Sequence, residues 1–164
     1  MTVTLFSFVA MFDQQLATAV HLLDTGEAHA GGPGFLDWRL IDDMAPLRFQ
    51  LRVIVNFSRS WPARVAGLEP PADIADDLDL PGFRIAIADA RAYLASLTPA
   101  QFDGREDAPL TVALGTSMEP TLPAAKWLTG FATTNIYFHL SITYAILRSK
   151  GVKIGKTDLF AGGL

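Results

Sequence analysis

The feature of this sequence that most constrains its fold is the spacing of its apolar residues, three and four positions apart in several segments. The pattern is strictest after Asp79, where apolar residues take heptad positions: Leu80, Phe83, Ile87, Ala90, Leu94 and Leu97. This spacing puts their side chains on one face of an α-helix. Asp79 is a good N-cap, and Pro81 is tolerated in the first turn. The sequence therefore predicts an amphipathic helix after Asp79, of the kind that packs in a bundle.

Segments near the two ends of the chain show the same periodicity. A first helix is predicted from about Thr4 to Leu23, followed by a loop with four glycines and one proline. The last helix is predicted to begin at Thr133 or Thr134, which can cap it, to run to Lys150 and to stop at Gly151.

A second helix is predicted to follow Asp42 or Asp43, either of which can cap it, with Pro46 in its first turn. Its buried stripe consists of Leu47, Leu51, Ile54, Ser58, Trp61 and Val65. Pro62 lies inside this pattern, so a kink is expected before the helix ends at Gly67.

The segment between the third and fourth helices differs from the rest. Thr98, Pro99 and Gln101 form a capping-box pattern that predicts a short turn. From Gly104 to Leu122 the sequence is rich in β-branched residues, which favours a small hairpin or an extended lid. The whole pattern predicts an all-α fold, a single four-helix bundle over residues 1–164 with one irregular excursion between the third and fourth helices.

Composition excludes several classes of protein. The chain has 164 residues, of which 50% are hydrophobic and 18% charged, so it should fold into one ordered domain. It contains no cysteine, which excludes disulfides and thiolate metal sites and suits a cytoplasmic location. The net charge of −4 disfavours nucleic-acid binding, which needs many lysine and arginine contacts.

Targeting and membrane segments are also not expected. The N-terminus has no basic region before its short apolar stretch, and Asp13 interrupts that stretch, so no signal peptide is predicted. Residues 127–147 carry no charge, yet they include several threonines, an asparagine and a histidine that weaken partition into lipid. A buried central helix is therefore expected here, and no membrane span.

Three segments carry a family resemblance. They are NIYFHLSITYAILRSKGVKIGKTDLF at Asn135 to Phe160, RLIDDMAPLRFQLRV at Arg39 to Val53 and ARVAGLEPP at Ala63 to Pro71. With weaker agreement through the third helix, they resemble a branch of unknown function within the DinB/YfiT-like superfamily of metalloenzyme-like proteins. The resemblance implies a four-helix bundle in which better-known relatives bind a divalent metal through three histidines, one on the second helix and two spaced four apart on the last.

This sequence departs from that ligand pattern. His139 can match one ligand, but Thr143 stands four residues on, and the second helix offers only Gln50 and Asn56 as polar candidates. Neither amide is a ligand comparable to imidazole for zinc or nickel. We therefore predict no metal site and no cofactor, and expect zinc or nickel to bind weakly if at all.

One polar stripe on the last helix is the main functional candidate. Asn135, His139 and Thr143 are spaced by four residues on a helix without charge from residue 132 to 147. In one interpretation they line a pocket, where His139 binds a ligand, carries a proton or holds a single metal. In the other, which is more usual for a lone buried histidine, they form a structural polar network in which Thr143 bonds its own backbone.

Other residues give weaker indications. Tyr137 and Tyr144 can donate phenolic protons to a site, although packing with one wet end is more typical of such tyrosines. His21, in the last turn of the first helix as predicted, can approach the bundle interior or interact with the helix dipole, and His29 is expected in the following loop.

The predicted function is small-molecule binding in an interhelical pocket near His139, and whether a reaction is catalysed stays open. The candidate ligand-binding residues are His139, Asn135, Thr143, Gln50, Tyr137 and Tyr144. The alternative is a non-enzymatic module that dimerises or docks a partner. A mean hydropathy of +0.27 is high for a small monomer and predicts a homodimer in either case.

Overall fold

The computed structural model describes residues 3–115 and 117–163 and builds them around one apolar core. Within these residues four long helices form the bundle: α1 Ser7–Ala30, α2 Leu47–Ala66, α3 Leu80–Ser96 and α4 Thr133–Ser149. The predicted all-α architecture is therefore confirmed. The first two residues, which belong to the stretch tested for a signal peptide, lie outside the described part.

Helix α1 is longer than the sequence pattern predicted. It continues through Gly26 and ends at Gly31, which adopts φ 70° and donates its backbone N–H to Glu27 O. The prediction failed because Gly26 was taken as a loop residue. Instead it is buried in the helix, where an added Cβ would lie 2.8 Å from the Phe35 ring. As a result His29 lies in the last turn of α1, and not in a loop.

Helix α2 begins later than predicted. Neither Asp42 nor Asp43 caps it, because residues 41–44 form a separate turn and the helix starts after an extended Pro46. The end of the helix is as predicted, since Gly67 adopts φ 75° beyond the last turn. The helix runs through Pro62 without ending, and its predicted stripe is buried.

Helix α3 agrees with the sequence pattern in detail. Asp79 caps it by accepting a hydrogen bond from the Gly82 backbone N–H at 2.8 Å. Every heptad residue from Leu80 to Leu97 is buried in the core. The predicted capping box follows, with the Thr98 N–H donating to Gln101 Oε1 at 2.7 Å.

The excursion between α3 and α4 contains the predicted hairpin. Strands β1 (Pro109–Thr111) and β2 (Thr121–Pro123) pair antiparallel, with Leu110 opposite Leu122. Its connection includes Thr116, which lies outside the described residues.

The lead-in to helix α4 begins with the short turn that Pro123 predicts and continues with a π-helical segment that the sequence pattern did not predict. A helical turn at Ala124–Lys126 and a π-helical segment at Trp127–Ala132 run directly into it. Thr133 therefore does not cap a free helix end, and its hydroxyl donates to Leu128 O at 2.8 Å. Aromatic rings fill this lead-in and set its position against α2.

Contacts between α2 and α4 show that the two helices run antiparallel. Trp61 stacks on Trp127 with ring centroids 5.1 Å apart, and Phe57 lies 5.9 Å from Phe131. Further along the pair, Gln50 of α2 meets His139 of α4. One end of this interface is therefore aromatic, and the other end is polar.

The C-terminal segment folds back onto α1. His21 Nε2 lies 2.6 Å from Asp158 Oδ1, and the Gly162 N–H donates to Thr18 Oγ1 at 3.0 Å. His21 is therefore in the middle of the longer α1 and contacts this segment, so the prediction of a helix-end position was wrong. No helix of the described residues combines the length and apolar character that crossing a membrane requires.

Candidate functional site

The polar contact between α2 and α4 is a hydrogen bond between Gln50 and His139. The Gln50 side chain is 3% exposed and donates from Nε2 to Ala45 O at 3.1 Å. This turns its amide oxygen towards His139 Nδ1, at 2.7 Å. Since an amide oxygen only accepts, His139 Nδ1 must carry the proton. The lone pair of the imidazole is therefore on Nε2.

His139 sits between two phenylalanine rings. The ring of Phe138 lies 5.1 Å and that of Phe49 lies 6.0 Å from the imidazole, both edge to face. Burial in this surrounding lowers the pKa of His139 below its usual 6.5, because the charged form loses hydration. A neutral imidazole results at neutral pH. Its Nε2 has no hydrogen-bond partner among residues 3–115 and 117–163.

The other residues of the polar stripe bond within their own helix. Asn135 Nδ2 donates to Phe131 O at 2.8 Å, and Thr143 Oγ1 donates to His139 O at 2.9 Å. These are the contacts of the structural-network interpretation, which also expected the neighbouring helix to bond the imidazole. The stripe leaves the His139 Nε2 and the Asn135 Oδ1 without hydrogen-bond partners within the described structure.

The two tyrosine candidates do not join His139. Tyr137 accepts a hydrogen bond from Gln15 Nε2 of α1 at 3.0 Å, so its hydroxyl lies on the α1 side of α4. Tyr144 is partly buried and packs against the apolar core. The structure thus brings Gln50, His139 and the Thr143 backbone bond together, and places both tyrosines elsewhere.

The side chains at this position do not fit as ligands of the three-histidine metal centre that the resemblance implies. His139 Nδ1 is protonated and bound to Gln50, while the amide of Asn135 and the hydroxyl of Thr143 point to backbone carbonyls. Within the described ranges, no three histidine, aspartate or glutamate side chains are grouped as metal ligands. A single imidazole nitrogen with amide and hydroxyl neighbours is a poor ligand set for zinc or nickel.

A cavity of about 300 Å³ opens beside the aromatic end of the same interface. Two neighbouring rows of α2 form its floor. The polar row is Arg52, Asn56, Ser60 and Arg64, and the apolar row is Val53, Phe57 and Trp61. The rest of its lining consists of the linker residues Pro70, Pro71 and Asp73, the chain at 112–114 and Phe131. His139 is not among its lining residues.

Asn56 is the most buried polar group of this lining, at 7% exposed. Its Oδ1 accepts from the Ile74 N–H at 3.0 Å and from Arg59 Nη2 at 3.2 Å. These two donors fix the orientation of the amide. Its Nδ2 makes no hydrogen bond to the described part of the chain, so a donor is left unused in the cavity lining.

The two arginines of the row have different surroundings. Arg52 forms an ion pair with Asp76, and its guanidinium lies 5.5 Å from the Phe49 ring centroid. Arg64 is exposed, lies 5.9 Å from the Trp61 ring centroid and has no carboxylate partner among the described residues. Because Phe49 also contacts His139, Arg52 and Phe49 connect the cavity to the Gln50–His139 pair.

The sequence analysis named Asn56 but missed the row to which it belongs. The signal was present, since Arg52, Asn56, Ser60 and Arg64 are spaced by four residues and must share a helix face. What the sequence did not reveal was that the linker after α2 and the hairpin stand over this face and enclose a cavity.

Comparison with known proteins places the chain in a family. A family model described as "Domain of unknown function (DUF1993)" matches residues 6–160. The crystal structure of a DinB family member protein from Shewanella denitrificans is similar, with a TM-score of 0.82 and 26% sequence identity over 93% of this chain and 88% of that one. None of the curated proteins matches. The chain therefore belongs to the DUF1993 family and has the DinB-like four-helix fold that its sequence resembles.

Proposed function

We propose that this protein binds a small organic molecule in the cavity between α2, the linker after it and the hairpin. The volume of about 300 Å³ lies at the lower end of the range for small-molecule sites. Its lining combines aromatic rings with a few polar groups, as such sites usually do. The observation that carries the proposal is the Asn56 Nδ2, a donor on a buried side chain whose other amide atom is already bonded.

The Asn56 Nδ2 is available to a ligand. Among the described residues it is not one of the fully buried atoms without a partner, so water reaches it in the free protein and a ligand acceptor can replace that water. Asn56 keeps its amide fixed through Ile74, so the donor is held in one orientation before a ligand arrives. A carbonyl, carboxylate or hydroxyl oxygen on the ligand supplies the matching acceptor.

His139 lies outside the cavity and enters this proposal only for a longer ligand. The six residues from Gln50 to Asn56 span about 9 Å along the helix axis, so a ligand must extend at least that far past Phe49 to meet the imidazole. The neutral Nε2 would then accept a hydrogen bond from a ligand donor, while the Nδ1–H stays bound to Gln50.

The experiment is a fragment titration followed by amide chemical shifts. Benzyl alcohol, benzamide and indole serve as neutral probes at millimolar concentration. We expect saturable shifts at the Asn56 side-chain amide and at the residues around Trp61. Shifts that cluster elsewhere, or no saturable binding by any probe, would contradict the proposal.

Asn56→Asp is the matched variant for this test. The carboxylate keeps an acceptor for the Ile74 N–H and for Arg59, removes the free donor and adds one negative charge to the lining. Benzamide is neutral, so the variant should bind it at least about tenfold more weakly, the usual effect of one lost hydrogen bond. Gln101→Ala is the control, because that side chain bonds the Thr98 N–H outside the cavity lining and should leave affinity unchanged.

A second function, dimerisation, is favoured by exposed apolar side chains. Ile85 of α3 is 62% exposed and Phe138 of α4 is 54% exposed. Large apolar side chains at helix surfaces are typical of faces that meet a second copy. A homodimer should appear in sedimentation equilibrium at micromolar concentration and dissociate in Phe138→Lys or Ile85→Lys. A monomer at that concentration would contradict dimerisation and leave the ligand proposal untouched.

A further inference from the structure

We infer that the ligand of the cavity is an anion with a planar apolar body, of the aryl carboxylate class. The inference rests on the proposed function and names the chemistry that the cavity selects. It follows from three properties of the lining: the unpaired positive charge at its Arg64 end, the donor character of the free groups in its polar row and the packing of its aromatic wall.

The charges of the cavity are separated along its length. Arg52 is paired with Asp76. Asp73 of the lining lies at the Asn56 end, next to the backbone N–H that bonds the Asn56 Oδ1. Arg64 is about two helical turns further along the polar row and has no carboxylate partner among the described residues. The Arg64 end of the cavity therefore carries an unpaired positive charge.

The free polar groups of the row all donate hydrogen bonds. They are the Asn56 Nδ2, the Ser60 hydroxyl and the Arg64 guanidinium, and none has a partner within residues 3–115 and 117–163. Positions four residues apart on a helix face are about 6 Å apart. One oxygen-rich group can therefore contact Ser60 and Arg64 together. A carboxylate, which only accepts when ionised, satisfies such a set of donors better than an alcohol or an amine.

The wall beside this row is aromatic and held in place. Trp61 is 3% exposed, stacks on Trp127 at an interplanar angle of 24° and meets Phe131 edge to face at 5.3 Å. The Arg64 guanidinium lies over the same Trp61 ring, which positions the charge at the edge of the wall. A flat ring packs on such a wall, and a carboxylate one or two bonds from that ring reaches Arg64.

The test compares three small molecules that differ in one property each. Phenylacetate is the aromatic anion, 2-phenylethanol is its neutral analogue and cyclohexylacetate is the non-planar anion. Affinities are measured by titration calorimetry and by amide shifts on the full chain. Phenylacetate should bind about tenfold more tightly than 2-phenylethanol, as expected for one charge-assisted contact. It should also bind more tightly than cyclohexylacetate.

Arg64→Gln should remove the advantage of phenylacetate over 2-phenylethanol, so that the two probes bind the variant with similar affinity. Lys153→Gln is the control, since it removes one positive charge from an exposed position outside the cavity lining. It should keep the preference intact. A melting temperature equal to that of the wild type confirms that the exposed Arg64 has no role in folding.

The outcomes separate this inference from the proposed function. Equal binding of both aromatic probes, with loss of both in Asn56→Asp, would overturn the anion and keep the cavity as a binding site. A preference for phenylacetate that survives in Arg64→Gln would also overturn the inference. Absence of saturable binding by all three probes at the cavity would overturn both.

Discussion

The two polar regions of α2 differ in how their hydrogen bonds are used. Around Gln50 both amide groups are bonded within the protein, since Gln50 donates to Ala45 O and its oxygen binds His139, and the His139 Nε2 is left as an acceptor without a partner among the described residues. Around Asn56 the row leaves donors without partners in the described structure. The binding proposal rests on these donors and on the cavity beside them, and not on polar residues of a buried face in general.

The difference arises from what covers each region. Helix α4 packs directly against Gln50 and supplies His139 as a partner. The linker prolines and the chain at 112–114 lie over Asn56 and Ser60. They border a cavity that is open to solvent on one side. The first region is therefore suited to joining two helices, and the second is suited to accepting a molecule.

The largest expected effect comes from Trp61→Ala, which removes the wall shared by the cavity and the core. Trp61 is buried and stacked on Trp127, so the free energy of unfolding should fall by about 3–5 kcal/mol. Urea denaturation followed by circular dichroism measures this. Ile41→Ala is the control, because that side chain is 57% exposed and should change stability by about 0.5 kcal/mol or less.

His139→Ala should have the next largest effect. It leaves the buried Gln50 oxygen without its donor, which typically costs about 1–3 kcal/mol. The urea midpoint should drop with an unchanged slope, since the surface exposed on unfolding stays the same. An unchanged or raised midpoint would show that His139 does not hold α2 and α4 together.

The pairing of Gln50 with His139 can be isolated by a double-mutant cycle. Gln50→Ala, His139→Ala and the double variant should give a coupling energy of about 0.5–3 kcal/mol, as residues in contact do. The same cycle for Asn56 with His139, which do not touch, should give a value near zero. If the changes in unfolding free energy are additive in both cycles, Gln50 and His139 are not coupled, and the two regions do not differ in how their residues are bonded.

A smaller effect is expected from acidification. The folded-state pKa of His139 lies below 6.5, so the unfolded chain binds the proton more strongly. The stability that neutral His139 contributes is present above pH 6.5 and is lost as pH falls through that value towards the folded pKa. The difference in melting temperature between wild type and His139→Gln should therefore shrink from pH 8 to pH 5.

The lower limit of that scan, pH 5, lies above the pH range in which Asp158 titrates. The Gly155 N–H and His21 hold the pKa of Asp158 below 3.8, so the stability it contributes is lost only when pH falls below that range. If the difference in melting temperature between wild type and His139→Gln is constant from pH 8 to pH 5, the pKa of His139 is the same in the folded and the unfolded chain.

The smallest effect on stability is expected from Ser60→Ala. Its hydroxyl has no partner in the described part of the chain, so the free energy of unfolding should change by about 0.5 kcal/mol or less. Affinity for phenylacetate should nevertheless fall, because the hydroxyl contacts the carboxylate in the proposed complex. Lower stability without lower affinity would assign Ser60 to the fold and not to the site.

Sequence predicted the parts of this fold that depend on local spacing and capping. The heptad residues from Leu80 to Leu97, the Asp79 cap and the Gly67 helix end all follow from rules that act within a few residues. Gly26 was misjudged because its role depends on Phe35, which lies nine positions away and fills the space a side chain would need. The hairpin was predicted because β-branched residues favour extended backbone locally.

The candidate site was less accessible to the same reasoning. His139 and Gln50 were named separately, but their direct bond depends on the register of two helices far apart in sequence. The row from Arg52 to Arg64 was readable as a shared helix face. Whether such a face is solvated or enclosed depends on the path of the linker and the hairpin, which no spacing within α2 encodes.

The π-helical segment at Trp127–Ala132 determines how the chain before α4 is rotated about the helix axis relative to α4. In a regular α-helix each residue turns the next by about 100°, so one residue inserted rotates everything before it by that angle. The wider π turn absorbs such a residue without breaking the rod. The π turn therefore sets the direction in which Trp127 and Phe131 point relative to His139. One continuous helical element meets α2 with aromatic rings at one end and an imidazole at the other.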